Sequence, residues 1–286
     1  MTRFVFMADT HLGACPMEFQ QQPGYPERLP ELLTALRDWI NENGHIDFIL
    51  HAGDLLDGYG VERIREAVAL FDLGVPLYVC LGNHDLTRPE AVAGWVEHAP
   101  QFFIGDSVQF EIVTDDCLVH VVPSHWCEET YYWRDVQASR LSADQIERVA
   151  AVAKQHAPLP QLLCTHSQVL GMYFEQTGKR EPEHEPYPPF REQMAELLEQ
   201  CPEIRCVLGG HNHANTMGPF QDALALSVSA FSSTPFEFRL IEVSREQIAI
   251  TTHDLRDRVD FDSAYDDAKV YVLGRPQDRD TVWPLT

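Results

Sequence analysis

The chain has 286 residues, of which 44% are hydrophobic and 23% charged, values that are ordinary for a soluble globular protein with a substantial core. Its formal net charge is −23, and no Lys/Arg-rich run interrupts this acidity. Such a charge repels polyanions and disfavours general binding to duplex nucleic acid unless metal ions reverse it locally. The alternative is that the acidity only promotes solubility.

The first residues and the cysteines indicate a cytoplasmic protein. The start, MTRFVFMADTHLG, has one basic residue and a short apolar run broken by Asp9, unlike a secretory signal. No stretch approaches the roughly 18 uncharged apolar residues of a membrane span. The seven cysteines are scattered and form no CxxC motif, which favours reduced thiols in the core. We therefore expect a cytoplasmic protein without membrane association.

Strands and helices alternate along the first 210 residues. Short apolar runs predict buried strands at 3–8, 47–51, 76–81, 117–123, 161–164 and 204–208. Helical patterns lie between them, at 29–43, 62–71, 89–98, 190–200 and after the capping-box sequence SADQ at 142–145. This alternation predicts an α/β core.

The pattern changes after residue 214. Three strands are predicted in the segments ALALSVSAF and FEFRLIEVSREQIAITTHDL, and a hairpin at 244–247 joins the last two. The segment at 179–190, KREPEHEPYPPF, has four prolines and predicts an extended loop, either a lid or a plain surface excursion. Because no linker separates domains, we expect a single domain over 1–286, with 254–286 as a C-terminal extension that runs over the surface.

Polar side chains follow five of the predicted strands, and the carboxyl edge of an α/β sheet is where sites are built. Each residue alone is weak evidence, since Asp and Asn are common in turns and a lone His is more often structural. Together they offer the mixed nitrogen and oxygen ligation that suits Zn, Mn or Fe, and the absence of thiolates argues against a structural zinc site. The residues are Asp9, His11, Asp54, Asn83, His166, His211 and His213.

The sequence contains five short motifs in the order D-x-H, G-D-x-x-D, G-N-H-D, H and G-H-x-H. This ordered set resembles the motifs of the calcineurin-like metallophosphoesterase superfamily. All five are complete between Asp9 and His213. The resemblance implies a four-layer α-β-β-α sandwich, with two mixed sheets flanked by helices, and two divalent metal ions (Mn, Fe or Zn). By motif position, one ion would be held by Asp9, His11, Asp54 and His213, and the other by Asp54, Asn83, His166 and His211.

The resemblance also implies hydrolysis of a phosphoric ester by in-line attack of a hydroxide that bridges the two ions. His84 matches the histidine that contacts substrate and assists protonation of the leaving group, a role that suits an imidazole. Asp85 would orient His84 or, alternatively, form the turn. Asp57 matches the motif without being a ligand, so we expect it to hold a ligand histidine or a loop. His125 could contact substrate or pack.

Several features bear on the substrate. Gly58 and Asp85 stand where phosphoprotein phosphatases of the superfamily carry arginine and glutamate, which disfavours that activity. Two segments, DTHLG and AGDLLD, resemble the sequences of the double-strand-break repair nuclease branch. The compact length of the chain is instead similar to that of small cyclic-nucleotide phosphodiesterases. With the net charge of −23, this favours a small phosphodiester. A DNA exonuclease or endonuclease is the alternative.

A hypothesis of another class is a non-catalytic metal-binding scaffold, which the complete ligand set and His84 argue against. Four aromatic residues after the fourth strand form either core packing or a stacking platform for a nucleobase. They are Trp126, Tyr131, Tyr132 and Trp133. The sequence predicts no oligomeric state.

Overall fold

Two mixed β-sheets form the centre of the protein in a computed structural model that describes residues 1–15, 21–126, 138–179 and 183–285. The strands are β1 (Thr2–Met7), β2 (Phe48–His51), β3 (Leu77–Val79), β4 (Phe110–Val113), β5 (Leu118–Val121), β6 (Gln161–Cys164), β7 (Ile204–Gly209), β8 (Thr216–Phe220), β9 (Ala223–Ser227), β10 (Glu237–Val243), β11 (Gln247–Asp254) and β12 (Asp280–Pro284).

The first sheet has the order β12-β11-β10-β1-β2-β3, and the second has the order β4-β5-β6-β7-β9-β8. Strands β1, β2 and β3 are parallel, as are β5, β6, β7 and β9. Parallel neighbours end at the same edge of a sheet, so the loops after β1, β2 and β3 lie together. The loops after β6 and β7 lie together for the same reason.

Helices cover the outer faces of both sheets. They are α1 (Leu29–Glu42), α2 (Val61–Leu70), α3 (Ala91–His98), α4 (Ala143–His156) and α6 (Pro188–Gln200); the short helix α5 (Phe174–Thr177) buries none of its residues. One buried cluster joins α1 and the first sheet to the second sheet, through residues such as Leu36, Phe4 and Leu208. Another joins α4 and α6 to the outer face of the second sheet, through residues such as Val149 and Leu197. The predicted four-layer arrangement is confirmed.

Most helices begin and end within two residues of the prediction. Helix α4 begins at a complete capping box, in which Ser142 accepts a hydrogen bond from Gln145 N and Gln145 accepts one from Ser142 N. The prediction of a loop over 179–190 is wrong at its end, because α6 begins at Pro188. Proline is tolerated in the first turn of a helix, where its missing N–H would have no partner in any case.

The unpredicted strands β4, β8 and β12 all lie at sheet edges. β8 contains Pro219, and β12 ends at Pro284, a residue that sheets accept at their edges. Edge strands are partly exposed and therefore lack the continuous apolar run that identifies a central strand. β12 shows that part of 254–286 pairs with β11; the single-domain arrangement itself stays a prediction. Within the described residues, none of the helices combines the length and apolar character needed to cross a membrane.

Candidate metal centre and active site

Backbone hydrogen bonds bring the strand-end loops together at one end of the two sheets. Asp9 N donates to Gly53 O at 2.9 Å, which joins the loops after β1 and β2, and Gly210 N donates to His166 O at 2.9 Å, which joins the loops after β6 and β7. The approach is so close that a Cβ at Gly53 would lie 2.6 Å from His166 Nδ1. Glycine is therefore required where the two sheets meet.

Three of the predicted ligands of the first ion form a tight group. Asp9 Oδ1 lies 3.4 Å from His213 Nε2 and 3.8 Å from His11 Nε2. The Nε2 atoms of His11 and His213 lie 3.2 Å apart. One ligand atom from each residue falls within 4.8 Å of the others, and Asp54 Oδ2 lies 3.9 Å from His11 Nε2. The structure thus brings all four predicted residues together.

The predicted ligands of the second ion are equally close. Asp54 Oδ2 lies 3.2 Å from His166 Nε2, and His211 Nδ1 lies 3.2 Å from the same nitrogen. Asn83 Oδ1 lies 3.1 Å from His211 Nδ1. Asp54 Oδ2 therefore faces both groups, as a bridging ligand would, while Asp54 Oδ1 accepts a hydrogen bond from His84 N at 2.8 Å.

The charge balance of this cluster fits divalent cations. Asp9 and Asp54 are buried, and among the described residues their ion pairs involve only histidines. Asp9 Oδ1 is buried and accepts no hydrogen bond from the residues that the structure describes. Burial opposes a charge on His166, but the carboxylate of Asp54 overcomes it and raises the pKa of His166 to about 10. The centre therefore attracts positive charge, which two metal ions would supply.

The backbone of this cluster is strained. Left-handed backbone costs a non-glycine residue about 1–3 kcal/mol and persists only where the surroundings enforce it. Five of the seven predicted metal ligands adopt it: Asp9 (φ 57°), His11 (φ 45°), Asp54 (φ 52°), His211 (φ 70°) and His213 (φ 53°). Asn83 has ordinary right-handed backbone. The strain is thus concentrated in the predicted ligands.

Other residues orient the ligands, and the sequence did not predict them in this role. His166 Nδ1–H donates to Ala52 O at 2.7 Å, which directs Nε2 towards Asp54. His51 Nδ1 accepts a hydrogen bond from Gly53 N at 3.2 Å. The buried ring of Trp126 packs on His211, with centroids 5.2 Å apart. Residue spacing does not predict contacts of this kind, because they depend on the completed fold.

His84 and Asp57 lie beside the first ligand group. His84 Nδ1 is 3.3 Å from Asp57 Oδ1, which also lies 3.6 Å from His11 Nδ1. This is the supporting contact predicted for Asp57. Burial acts to lower the pKa of His84, but the charges of Asp54 and Asp57 raise it to about 9. A protonated imidazole thus stands at the edge of the centre, with 28% of its side chain exposed.

Asp85 makes different contacts from those predicted for a catalytic residue. Its carboxylate accepts hydrogen bonds from Leu56 N and Gly82 N, each at 2.9 Å, and from Leu55 N at 3.2 Å. These contacts support the alternative of turn formation. The residue follows His84 in a short 3₁₀ helix, where neighbouring side chains point in different directions. Burial and the charge of Asp54 raise the pKa of Asp85 to about 7.

His125 is 3% exposed, and its backbone exchanges hydrogen bonds with Arg140. Burial and the charge of Arg140 lower the pKa of His125 to about 4. This burial favours packing over substrate contact. Trp126 likewise packs against the metal centre, and Tyr131, Tyr132 and Trp133 lie outside the described residues.

Comparison with known proteins agrees with this geometry. The family described as "Calcineurin-like phosphoesterase" matches residues 2–215, which include all seven predicted ligands. The chain belongs to the calcineurin-like phosphoesterase family. Membership makes the enzyme class a metal-dependent phosphoric ester hydrolase; it specifies neither the substrate nor the number and identity of the ions.

Individual relatives are more distant. The DNA double-strand break repair protein Mre11 of Haloferax volcanii is 33% identical over 96 residues, which are 31% of this chain and 20% of that protein. The Mre11 protein of Sulfurisphaera tokodaii is 30% identical over 92 residues, 29% of this chain and 22% of that protein. This phosphoesterase therefore matches only about a fifth of the length of these relatives.

Solved structures share the fold. A dimetal phosphatase from Danio rerio has a TM-score of 0.67 and 14% identity, and the similarity covers 88% of this chain and 96% of that one. GAP50, described as the anchor in the inner membrane complex of Plasmodium, has a TM-score of 0.63 and 11% identity, over 93% of this chain and 88% of that one. At these identities the likeness establishes architecture alone.

Proposed function

We propose that this phosphoesterase hydrolyses a small phosphodiester with the help of two divalent metal ions, Mn, Fe or Zn, in the centre described above. The observation that carries the proposal is the position of Asp54 Oδ2, which lies 3.9 Å from His11 Nε2 in one ligand group and 3.2 Å from His166 Nε2 in the other. A carboxylate that faces two sets of ligands is suited to holding two ions close together.

When bound, two such ions supply Lewis-acid stabilisation of the phosphoryl oxygens and lower the pKa of water. The chain's own residues position the reacting groups. Asp57 holds His84 through Nδ1, so that Nε2–H of the same ring donates its proton to the leaving oxygen. The Asp85 carboxylate joins the loop after β2 to the loop after β3, because it accepts hydrogen bonds from backbone N–H groups of both.

A DNA nuclease is the second candidate, and the identity of 33% over 96 residues with an Mre11 protein favours it. Against it stands the net charge of −23, which opposes the approach of a polyanion. A non-catalytic scaffold agrees less well with the site, because the set of candidate ligands is complete and His84 is present. We retain a cytoplasmic location and a single domain as parts of the proposal.

The proposal is tested by loading the protein with Mn, or with Fe and Zn, and assaying four kinds of ester. These are bis-(p-nitrophenyl) phosphate, p-nitrophenyl phosphate, cyclic nucleotides and single-stranded DNA. We expect turnover of the small diesters above that of the monoester. Preferential cleavage of DNA would instead support the nuclease. If no ester is hydrolysed with any of the metals, the enzymatic proposal is wrong.

The role of His84 is tested separately with His84→Ala. General acid catalysis is typically worth about 10²–10⁴-fold, so we expect a loss of that size in kcat for a diester with a poor leaving group. The loss is expected to shrink for p-nitrophenolate, which leaves without protonation. The exposed His45 supplies the matched control, His45→Ala. Full activity of His84→Ala on both kinds of ester, with metal content unchanged, would contradict the role.

A further inference from the structure

Asn215 is a fully buried residue that lies two positions after the candidate ligand His213. Oδ1 of its side chain accepts hydrogen bonds from Ser229 N and Arg239 Nη2, each at 3.1 Å. Nδ2 donates to Glu237 Oε2 at 2.5 Å. Because the two donors cannot accept and an ionised carboxylate cannot donate, only one orientation of the Asn215 amide satisfies all three groups. The side chain is therefore held from both sides.

The backbone of Asn215 is bound by α5 and by the C-terminal segment (267–279). Asn215 N donates to Val272 O at 2.8 Å. Gln176 Nε2–H donates to Asn215 O at 2.9 Å and to Tyr271 O at 2.7 Å. The segment approaches so closely that a Cβ at Gly274 would lie 2.8 Å from Asn215 O. The C-terminal segment thus packs directly against the residue that ends the ligand loop.

The two ligand histidines of this loop are anchored in different ways. His211 N donates to Asp9 Oδ2 at 3.0 Å, so another loop of the metal centre holds it. His213 has left-handed backbone, with φ of 53°, and its side chain is 13% exposed, whereas that of His11 in the same ligand group is 1% exposed. Left-handed backbone persists only where the surroundings enforce it. Asn215 supplies such an anchor on the C-terminal side of His213.

We propose that Asn215 is a positioning residue through which the C-terminal segment sets the affinity of the centre for the first ion. This inference rests on the two ions of the proposed function. Without the anchor, His213 can relax out of its left-handed conformation, which carries its imidazole away from Asp9 and His11. The second ion depends less on Asn215, because the bond between His211 N and Asp9 does not involve it.

The test exchanges donor and acceptor in one hydrogen bond. Asn215→Asp keeps the size of the side chain but sets its carboxylate against that of Glu237. Contacts that orient metal ligands are worth about 10–100-fold in affinity, so we expect the dissociation constant of the first ion to rise about tenfold or more. That of the second ion should stay within about twofold. The double variant Asn215→Asp, Glu237→Gln restores a donor opposite the new carboxylate and should recover most of the affinity.

The measurement is a titration of the metal-free protein with Mn, followed by electron paramagnetic resonance of the unbound Mn. It gives the number of bound ions and their dissociation constants without relying on activity. Anomalous diffraction from Mn-loaded crystals of Asn215→Asp identifies the weakened ion. We expect the peak beside His213 to be lost and the peak beside His166 to remain.

Arg275→Met is the matched control. Among the described residues, the guanidinium of Arg275 bonds to Met217 O and to the carboxylate of Asp278, both at the same segment or beside it. The variant removes a partly buried cation without removing a bond of Asn215. We expect it to lower the free energy of unfolding, measured with denaturant, and to leave the affinity for both ions unchanged.

A milder variant keeps the test open if Asn215→Asp does not fold. Gln176→Met removes the donor to Asn215 O and leaves the side-chain bonds of Asn215 in place. We expect it to weaken the first ion about threefold, the effect of one hydrogen bond.

Three results would overturn the inference while the proposed function stands. They are wild-type affinity for both ions in Asn215→Asp, equal weakening of both ions, and failure of the double variant to recover the first. Weakening of the first ion by Arg275→Met as large as that by Asn215→Asp would also overturn it, since general destabilisation would then be a sufficient cause. If the wild-type protein binds fewer than two ions, the inference and the proposed function both fail. If it binds two ions but hydrolyses no ester, only the proposed function fails.

Discussion

The metal centre and a second buried cluster balance their charges in opposite ways. The second cluster, here named the arginine cluster, joins β10 to the C-terminal segment. Its charged members are Glu237, Arg239, Arg275, Asp278 and Arg279. Both clusters contain fully buried carboxylates, so burial alone does not distinguish them.

The arginine cluster supplies its own cations. The guanidinium of Arg239 donates to Asp278 O at 2.6 Å. Arg275 pairs with the carboxylate of Asp278 at 2.7 Å, and Arg279 pairs with Glu237 at 2.7 Å. Burial lowers the pKa of Arg239 to about 10, which leaves it charged at neutral pH. The charges are compensated within the protein, which is typical of a structural network.

Within the described ranges, the metal centre has no arginine or lysine partner of this kind. Among the described residues, the ion pairs of Asp9 and Asp54 involve imidazoles alone. The compensating positive charge must come from protons or from bound cations. In the metal centre, the buried carboxylates lack an arginine or lysine partner among the described residues, which favours a site for bound cations. In the arginine cluster, arginines supply that partner, which indicates a structural network.

The largest effect is expected for Asp54→Asn, which removes the charge shared by both ligand groups. We expect at least one ion to be lost and kcat for bis-(p-nitrophenyl) phosphate to fall about 10³-fold or more. The reason is that stabilisation of the transition state depends on both metal ions. Activity and elemental analysis check this. Asp72→Asn, at an exposed position, is the control. Two retained ions with half of the wild-type activity would contradict the role of Asp54.

The next effect concerns the arginine cluster. Arg239→Met leaves buried acceptors such as Asp278 O and Asn215 Oδ1 without the donor that Arg239 supplies. Because each buried polar group that loses its partner costs about 1–3 kcal/mol, we expect the free energy of unfolding to fall by about 3 kcal/mol. Denaturant unfolding measures this. Arg245→Met, at an exposed residue, should change stability by less than about 0.5 kcal/mol. If both variants destabilise equally, the arginine cluster does not stabilise the fold as argued.

A smaller effect is expected for Asp57→Asn. The amide keeps the shape of the carboxylate but loses the charge that holds His84 and His11. Contacts that orient ligands are typically worth about 10–100-fold in activity, and we expect the lower end because 21% of the Asp57 side chain is exposed. Steady-state kinetics and metal content measure it. An unchanged kcat would show that Asp57 is dispensable.

The clustering of the candidate ligands could be predicted from the sequence, because motif residues follow strands whose parallel pairing then brings them together. Asp9 after β1 and His211 after β7 are the clearest cases, 202 positions apart yet bonded through His211 N and Asp9 Oδ2 at 3.0 Å. The central strands could also be predicted, since burial on both faces produces continuous apolar runs.

What could not be predicted depends on the completed fold. The edge strand β8 contains Gly218 and Pro219, which oppose a strand assignment until a neighbour provides the pairing. The contacts of the Asp85 carboxylate with Leu56 N and Gly82 N depend on how the loops after β2 and β3 come together, which no motif specifies. The contact between Gln21 and His184 joins residues 163 positions apart without any pattern to indicate it.

Anomalous diffraction from crystals loaded with Mn tests the central claim most directly. The account predicts two peaks about 3.5–4 Å apart on either side of Asp54, one among Asp9, His11 and His213 and the other among Asn83, His166 and His211. A single peak, or none at these residues, would contradict it.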